Sequence, residues 1–202
     1  MYLIVTRAFP PELGGMQNLM WGLAREMSKN FMIKVFADYE KNHNEFDEKA
    51  NFSIERVGGI KFLRKIRKAQ LINEFLKEKK IDGVIADHWK SLELIKTDKK
   101  KHCLIHGKEI NHPRGSSTNK RIIKVLNNVD NIIANSEFTK NLAINNGINQ
   151  DKIVVINPGV NPIKEPSKKS LEKVDSLLKI KTPRLITVSR FDKRKNHEKV
   201  IL

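Results

Sequence analysis

The chain has 202 residues, of which 39% are hydrophobic and 31% charged, a composition typical of a soluble globular protein. No apolar run approaches the roughly 20 residues that a membrane-spanning helix needs, and no secretory signal segment precedes the first predicted strand. Lysine and arginine number 39 against 23 acidic residues, so the net charge of +16 favours phosphate-bearing partners. Because Cys103 is the single cysteine, no internal disulfide can form, and the expected location is cytoplasmic.

The first thirty residues predict a strand, a loop and a helix. Residues 2–5 form a short apolar run typical of a buried strand, and a proline-rich loop follows it. Apolar residues then recur at helical spacing, namely Met16, Leu19, Met20, Leu23, Ala24 and Met27. Gly14 and Gly15 therefore lie where a strand ends and a helix begins, a place whose free N–H groups suit an anion such as phosphate. The alternative is a simple tight turn, because the full G-x-G-x-x-G pattern is absent.

The rest of the chain alternates short apolar strands with helical patterns. The predicted strands cover residues 31–37, 52–57, 84–87, 103–105, 131–134 and 153–156, with helices at 60–80, near 121–126 and from Ser136 to Gly147. Residues 38–51 and 96–101 are predicted to be loop and solvated connector. Short, continuous apolar strands that alternate with helices predict an α/β fold, a Rossmann-like parallel sheet with helices on both faces.

The helix predicted over residues 60–80 is strongly basic. Its inward positions are expected to be Phe62, Ile66, Ala69, Ile72, Phe75 and Leu76. Its basic residues are Lys61, Arg64, Lys65, Arg67, Lys68, Lys77, Lys79 and Lys80, against only two glutamates. Two interpretations stay open: a solvated helix that covers the sheet, or a basic face that rests on anionic lipid.

Beyond residue 161 the composition shifts to proline, serine and lysine. We therefore predict a first domain over residues 1–161, an interdomain linker over 162–183, and the first strand, loop and helix start of a second domain over 184–202. The last helix has about one turn, so the second domain is expected to be incomplete. In parallel sheets ligands bind at the carboxyl ends of the strands, where Gly14, Gly15, His88, His106 and Arg190 are all predicted to lie.

These motifs, taken together, resemble glycosyltransferase family 4, whose members are retaining enzymes with two Rossmann-like domains in the GT-B arrangement. The resemblance rests on FPPELGGMQNLMWGLAREMSK from Phe9, HGKE from His106, DNIIANSEFTKNLAINNGINQDKIVVINPGVN from Asp130, and LITVSRFDKRKNHEKVI from Leu185. It implies that Gly14 and Gly15 contact the diphosphate of a nucleotide-sugar and that Arg190 and Lys195 neutralise it as it leaves. His106 resembles the active-site histidine of the family, although a structural histidine that ends a strand is the alternative.

The sequence departs from the family pattern in two places. Ser189 and Asn196 stand where family members usually carry glycine beside the basic pair. The family's E-x7-E stretch would lie beyond Leu202, so most of the donor site is expected to be missing. His88 has no counterpart in the resemblance and is predicted to be structural.

The resemblance implies a glycosyltransferase that moves a sugar from a nucleotide-sugar to a glycan or lipid-linked acceptor, in cell-surface polysaccharide or glycolipid synthesis. It implies no cofactor and no metal, and the chain has no Asp-x-Asp at a predicted strand end. The basic helix would place the enzyme on the inner face of an anionic membrane. The alternative function is a non-catalytic module that binds an acceptor or partner and is completed by a separate chain. Nucleic-acid binding is not expected, because the chain has few aromatic residues for base stacking and no recognisable motif.

Overall fold

The computed structural model describes residues 1–160, 165–178, 186–189, 191 and 193–201. The chain divides into two compact units, Met1–Asn161 and Pro162–Leu202. The first unit carries the sheet, and the described part of the second carries short helices. The division into an acceptor-side domain, a linker and the start of a donor domain stays a prediction.

A seven-stranded parallel sheet forms the centre of the first unit. Its strands are β1 (Tyr2–Val5), β2 (Ile33–Asp38), β3 (Ser53–Val57), β4 (Gly83–Ala86), β5 (Lys100–Ile105), β6 (Asn131–Ala134) and β7 (Ile153–Val155). Their order across the sheet is β3-β2-β1-β4-β5-β6-β7, and every neighbouring pair is parallel. The chain leaves β1 in one direction for β2 and β3 and later returns to its other side at β4, so the sheet has a topological switch point between β1 and β4. The predicted Rossmann-like α/β fold is confirmed.

Helices connect the strands of the first unit, and two more lie in the second. They are α1 (Gly15–Met27), α2 (Asn44–Asp47), α3 (Lys61–Glu78), α4 (Trp89–Leu92), α5 (Ser117–Leu126), α6 (Glu137–Asn145), α7 (Lys168–Leu177) and α8 (His197–Ile201). Helix α6 has the predicted start, because the Ser136 hydroxyl accepts the backbone N–H of Thr139 at 3.2 Å. After its end, Gly147 has a φ of +90°, the left-handed conformation that glycine adopts most readily.

Each face of the sheet carries its own apolar layer. Successive side chains of β1 point to opposite faces, so Leu3 and Val5 join one layer while Ile4 joins the other. The first layer includes Ile72 of α3 and Trp89 of α4, and helix α1 contributes to the second. Among the helices that the structure describes, none combines the length and apolar character needed to cross a bilayer.

The structure differs from the sequence prediction in three segments of the first unit. Strand β5 begins at Lys100, an exposed lysine. The prediction of a connector over residues 96–101 is therefore wrong for its last two residues. The predicted loop over 38–51 contains the single turn of α2, which is too short to show a helical period. Phe62 does not face inward: it is 72% exposed. Helix α3 has 18 residues and is therefore about 27 Å long, which is longer than any strand of the sheet. Its first turn is consequently not buried against the sheet.

In the second unit, the described segments are helical or irregular. Helix α7 lies within the segment predicted to be an interdomain linker, and the Ser167 hydroxyl caps it by accepting the N–H of Ser170 at 3.2 Å. Residues 186–189 are neither helix nor strand, and residues 184 and 185 lie outside the described residues, so the strand predicted at the start of the second domain is not observed in the described part.

Candidate active site at the carboxyl edge of the sheet

The strand register brings the loops after β1, β4 and β5 to the same edge of the sheet. Val5 is paired with Ala86, and Ala86 with Cys103. His88 lies two residues beyond Ala86 and is therefore at the same height along the sheet as Ile105, the last residue of β5. His106 is the next residue after β5. The loop that leads to Gly14 begins beside them at the switch point, the place where open α/β sheets bind their ligands.

A buried carboxylate, Asp87, ties two of these loops together. It is 3% exposed and accepts hydrogen bonds from the Thr6 hydroxyl at 2.8 Å, the Arg7 backbone N–H at 2.9 Å and the Ser91 hydroxyl at 2.9 Å. Three donors compensate the cost of burying this acceptor. Asp87 thus fixes the direction in which the chain leaves β1. The sequence prediction missed this role, although a lone aspartate that ends an apolar strand was the available signal.

His106 lies after β5 and keeps one ring nitrogen without a partner. Its backbone N–H donates to the Glu109 carboxylate at 2.5 Å, and the Glu109 carbonyl accepts the Trp89 indole N–H at 3.0 Å, so the HGKE turn is held from both sides. His106 Nε2 is buried, and no hydrogen-bond partner for it exists within the described residues. An unpaired buried polar atom costs free energy and is uncommon in native proteins, so His106 is a candidate for a functional role.

His88 has a structural contact of its own. Its Nδ1 accepts the backbone N–H of Lys90 at 3.0 Å at the start of α4. Burial, together with the positive charges of Arg7, Lys90, His106 and Lys65, lowers the pKa of His88 to about 3. The imidazole is therefore neutral at physiological pH, which its role as an acceptor requires.

Gly14 and Gly15 begin helix α1 with an open backbone. No side chain of the described residues caps this helix start, and its first backbone acceptor is the Gly14 carbonyl, 3.0 Å from the Asn18 nitrogen. A Cβ placed on Gly15 would meet no atom within 4 Å. Glycine is thus not required there by packing, and the N–H groups of the first turn are accessible to an anion.

Arg56 on β3 holds the loop that precedes these glycines. Its guanidinium donates to the two Asp47 oxygens at 2.6 and 3.0 Å and to the Pro10 carbonyl at 2.5 Å. The Arg56 side chain is only 4% exposed and lies 5.4 Å from the centre of the Phe9 ring. One buried cation therefore joins α2 and the β1–α1 loop to the edge of the sheet.

Next to the switch point lies a pocket with six cationic side chains. They are Arg7, Lys61, Arg64, Lys65, Lys68 and Lys90, and Asp38 is the one carboxylate of the lining. Lys68, predicted to lie on a solvated face, is 5% exposed; its ammonium donates to the Thr6 carbonyl at 2.7 Å and to Asp38 at 2.5 Å. Burial lowers the pKa of Lys68, and the neighbouring Asp38 carboxylate partly offsets this effect. Its position at i+4 from Arg64 was visible in the sequence, but its burial was not.

Two of the predicted site residues belong to the second unit. Lys195 ends a short 3-10 turn, Lys193–Lys195, and is exposed. Arg190 lies outside the described residues. The diphosphate-binding role assigned to this pair stays a prediction.

The fold places the first unit among Rossmann-like α/β proteins of the kind found in GT-B glycosyltransferases. HepE of Anabaena in complex with UDP is similar in structure, with a TM-score of 0.65 and 16% identity over 88% of this chain and 50% of its own. Sucrose-phosphate synthase of Thermosynechococcus elongatus has a TM-score of 0.68 and 14% identity over 99% of this chain and 58% of its own. The lipopolysaccharide outer core galactosyltransferase WaaB has a TM-score of 0.57 and 16% identity over 79% of this chain and 46% of its own. The chain thus spans about half the length of these solved proteins.

The sequence itself identifies the family. A family model described as Glycosyltransferase Family 4 matches residues 13–164, three quarters of the chain. The chain therefore belongs to glycosyltransferase family 4, as the motifs predicted. A search of curated protein sequences gives no match.

Proposed function

We propose that the chain supplies the acceptor-side domain of a glycosyltransferase that moves a sugar, with retention, from a nucleotide-sugar to a glycan or lipid-linked acceptor. The pathway proposed is cell-surface polysaccharide or glycolipid synthesis. The observation that carries the proposal is the buried, unpartnered His106 Nε2 at the carboxyl edge of the sheet in a member of this family. The likeness to HepE, whose structure contains UDP, supports a uridine nucleotide as the first donor to test.

In this proposal each predicted site residue has a defined chemical task. The N–H groups at Gly14 and Gly15 bind the donor diphosphate through the positive end of α1. Arg190 and Lys195 place cations beside the leaving nucleoside diphosphate, which gains negative charge as the glycosidic bond breaks, and such fixed charges lower the barrier without a metal. His106 Nε2 forms a hydrogen bond with the transferred sugar and thereby fixes the reacting carbon.

We also propose a peripheral contact with the inner face of an anionic membrane through the first turn of α3. Ile60, Phe62 and Leu63 are 75%, 72% and 59% exposed, and Lys61 and Arg67 on the same helix are exposed as well. Apolar side chains surrounded by cations are typical of helices that lie in a lipid interface. The overhang of α3 beyond its packed residues gives these side chains room to enter the lipid.

Calorimetric titration of the 202-residue chain with UDP, GDP and ADP tests the donor assignment. We expect one nucleotide to bind, and Lys195→Ala to weaken its binding by about tenfold or more, since a charge-assisted hydrogen bond contributes about 1.5–3 kcal/mol. Lys173→Ala is the matched control, because Lys173 is an exposed lysine of the same unit. His106→Ala should leave UDP affinity unchanged and reduce only the additional affinity of the UDP-sugar. Absence of binding by all three nucleotides would reject the donor assignment for this chain and favour the non-catalytic module.

A further inference from the structure

We propose that the basic pocket beside the switch point binds a phosphate group and that this group is carried by the sugar acceptor. This inference rests on the proposed function, because only that function makes the first unit the acceptor side. The six cations of the pocket come from three elements: the loop after β1 contributes Arg7, the first half of α3 contributes four cations, and α4 contributes Lys90. Ala69 and Ile72 give it an apolar floor.

The positive charge of the pocket is only partly neutralised within the protein. Asp38 accepts from Lys68 at 2.5 Å and lies 3.1 Å from Arg64, and Lys65 pairs with Glu93, which lies outside the lining and is shared with Arg121. In the part of the chain that the structure describes, no carboxylate pairs with Arg7, Lys61 or Lys90. Six cations against one lining carboxylate leave a formal charge of +5.

The effect of this charge is visible in the neighbouring groups. Desolvation and the charges of Arg7, Arg121 and Lys65 lower the pKa of Lys90, and Arg7 and Lys65 also contribute to the low pKa of His88. Mutual repulsion of this kind destabilises the free protein. Lys68 cannot escape to solvent, because it is buried and bonded to the Thr6 carbonyl. A bound anion would offset the repulsion, so the arrangement favours an anionic ligand.

The side chains suit phosphate better than a single carboxylate. The Arg7 guanidinium offers paired donors, and the lysine ammonium groups add point charges from two other directions, which matches the several oxygens of a phosphate. The pocket residues Arg7 and Lys90 follow β1 and β4 at the same edge of the sheet at which His106 follows β5. In the proposed function the donor diphosphate is held by Gly14, Gly15, Arg190 and Lys195, so the pocket remains for a phosphate on the acceptor.

Binding of inorganic pyrophosphate in the presence of saturating UDP tests the proposal. The variant carries Arg7→Gln and Lys90→Gln. Neither side chain has a carboxylate partner among the described residues, and the backbone hydrogen bonds to Asp87 and His88 do not depend on side-chain charge. The control carries Arg67→Gln and Lys80→Gln, which remove the same charge from exposed positions outside the pocket. Thermal unfolding monitors the fold of each variant.

We expect the pocket variant to bind pyrophosphate at least about tenfold more weakly than the wild-type chain, and the control to bind as the wild type does. Equal weakening in both variants would attribute the binding to general charge and overturn the proposal, as would undetectable binding by the wild type. If UDP binds and pyrophosphate does not, the inference fails while the proposed function stands. If pyrophosphate binds through the pocket and no nucleotide binds, the donor assignment fails instead.

The source of the phosphate is distinguished with vesicles. Phosphatidylcholine vesicles that contain a minor fraction of phosphatidic acid are compared with pure phosphatidylcholine. If the pocket variant also loses binding to the acidic vesicles, the phosphate belongs to a lipid headgroup. If only pyrophosphate binding is lost, the phosphate belongs to a soluble acceptor.

Discussion

At the scale of single residues, a substitution at Gly15 is expected to change ligand binding without changing stability. A methyl group at this position meets no protein atom within 4 Å, so Gly15→Ala should leave the free energy of unfolding unchanged or raise it slightly. If the diphosphate lies against this backbone, the same methyl group occupies its space, and nucleotide affinity should fall by about tenfold or more.

The matched control is Gly22→Ala on the same helix, where a methyl group is equally unobstructed. This variant should gain up to about 1 kcal/mol of stability and keep nucleotide binding. The two quantities are measured by urea unfolding and calorimetry. Unchanged nucleotide affinity in Gly15→Ala would contradict the role assigned to the glycines.

His88 predicts a dependence of stability on pH. Its pKa is about 3 in the folded chain and near 6.5 in the unfolded chain. Above pH 6.5 both states are neutral at this residue and it adds no pH dependence. As the pH falls from 6.5 towards 3, only the unfolded state takes up the proton, so stability decreases by at most about 1.4 kcal/mol per pH unit.

His88→Asn should remove this contribution, because asparagine offers an acceptor to the Lys90 N–H and does not titrate. The measurement is the free energy of unfolding in urea between pH 8 and pH 5 for both chains. At pH 8 the two should be similarly stable; below pH 6 the variant should become the more stable. Parallel curves throughout would mean that His88 titrates normally in the folded chain.

At the scale of elements, Arg56 connects the edge strand to α2 and the β1–α1 loop. Arg56→Lys keeps the charge but loses the two parallel bonds to Asp47, and it leaves a half-buried carboxylate partly unpaired. We expect a loss of about 2–3 kcal/mol in the free energy of unfolding.

Arg121→Lys is the comparison, since Arg121 makes the same two-point contact with Glu93 at 2.7 and 2.9 Å but is 52% exposed. Its replacement should cost less than about 1 kcal/mol, because exposed ion pairs contribute little. Equal losses in the two variants would show that burial does not set the strength of the Arg56 pair.

The first turn of α3 makes its own prediction for membrane binding. Phe62→Ser with Leu63→Ser should weaken co-sedimentation with phosphatidylglycerol vesicles by about tenfold or more, since burial of each methylene contributes about 0.8 kcal/mol. Leu177→Ser, an exposed leucine that is 71% accessible on α7, should change nothing. If the double variant binds the vesicles as the wild type does, the attraction to the membrane is due to charge and not to these apolar side chains. Charge reversals on α3 are better made at Arg67, because Arg64, Lys65 and Lys68 are already engaged with Asp38 and Glu93.

At the scale of the whole molecule, the sequence predicts the sheet well because buried parallel strands are continuous apolar runs. The sequence does not predict the burial of a side chain whose surroundings come from other elements. Lys68 and Phe62 both occur in one periodic helix, yet the lysine is buried and the phenylalanine exposed, because the pocket and the overhang depend on where neighbouring elements end. The histidine of the HGKE motif is predicted from the resemblance, but its unpartnered Nε2 is visible only in the structure, where Glu109 fixes the turn.

The central position of β1 has a consequence for how the protein is made. Strand β1 is synthesised before both of its partners, and it pairs on one side with β2, from Tyr2 to Ile33, but on the other side with β4, from Tyr2 to Gly83. One of its edges therefore stays open until β4, some eighty residues further along the chain, has been synthesised. An open, apolar strand edge is prone to pair with other chains, so the nascent protein is most vulnerable to aggregation during translation of residues 34–83.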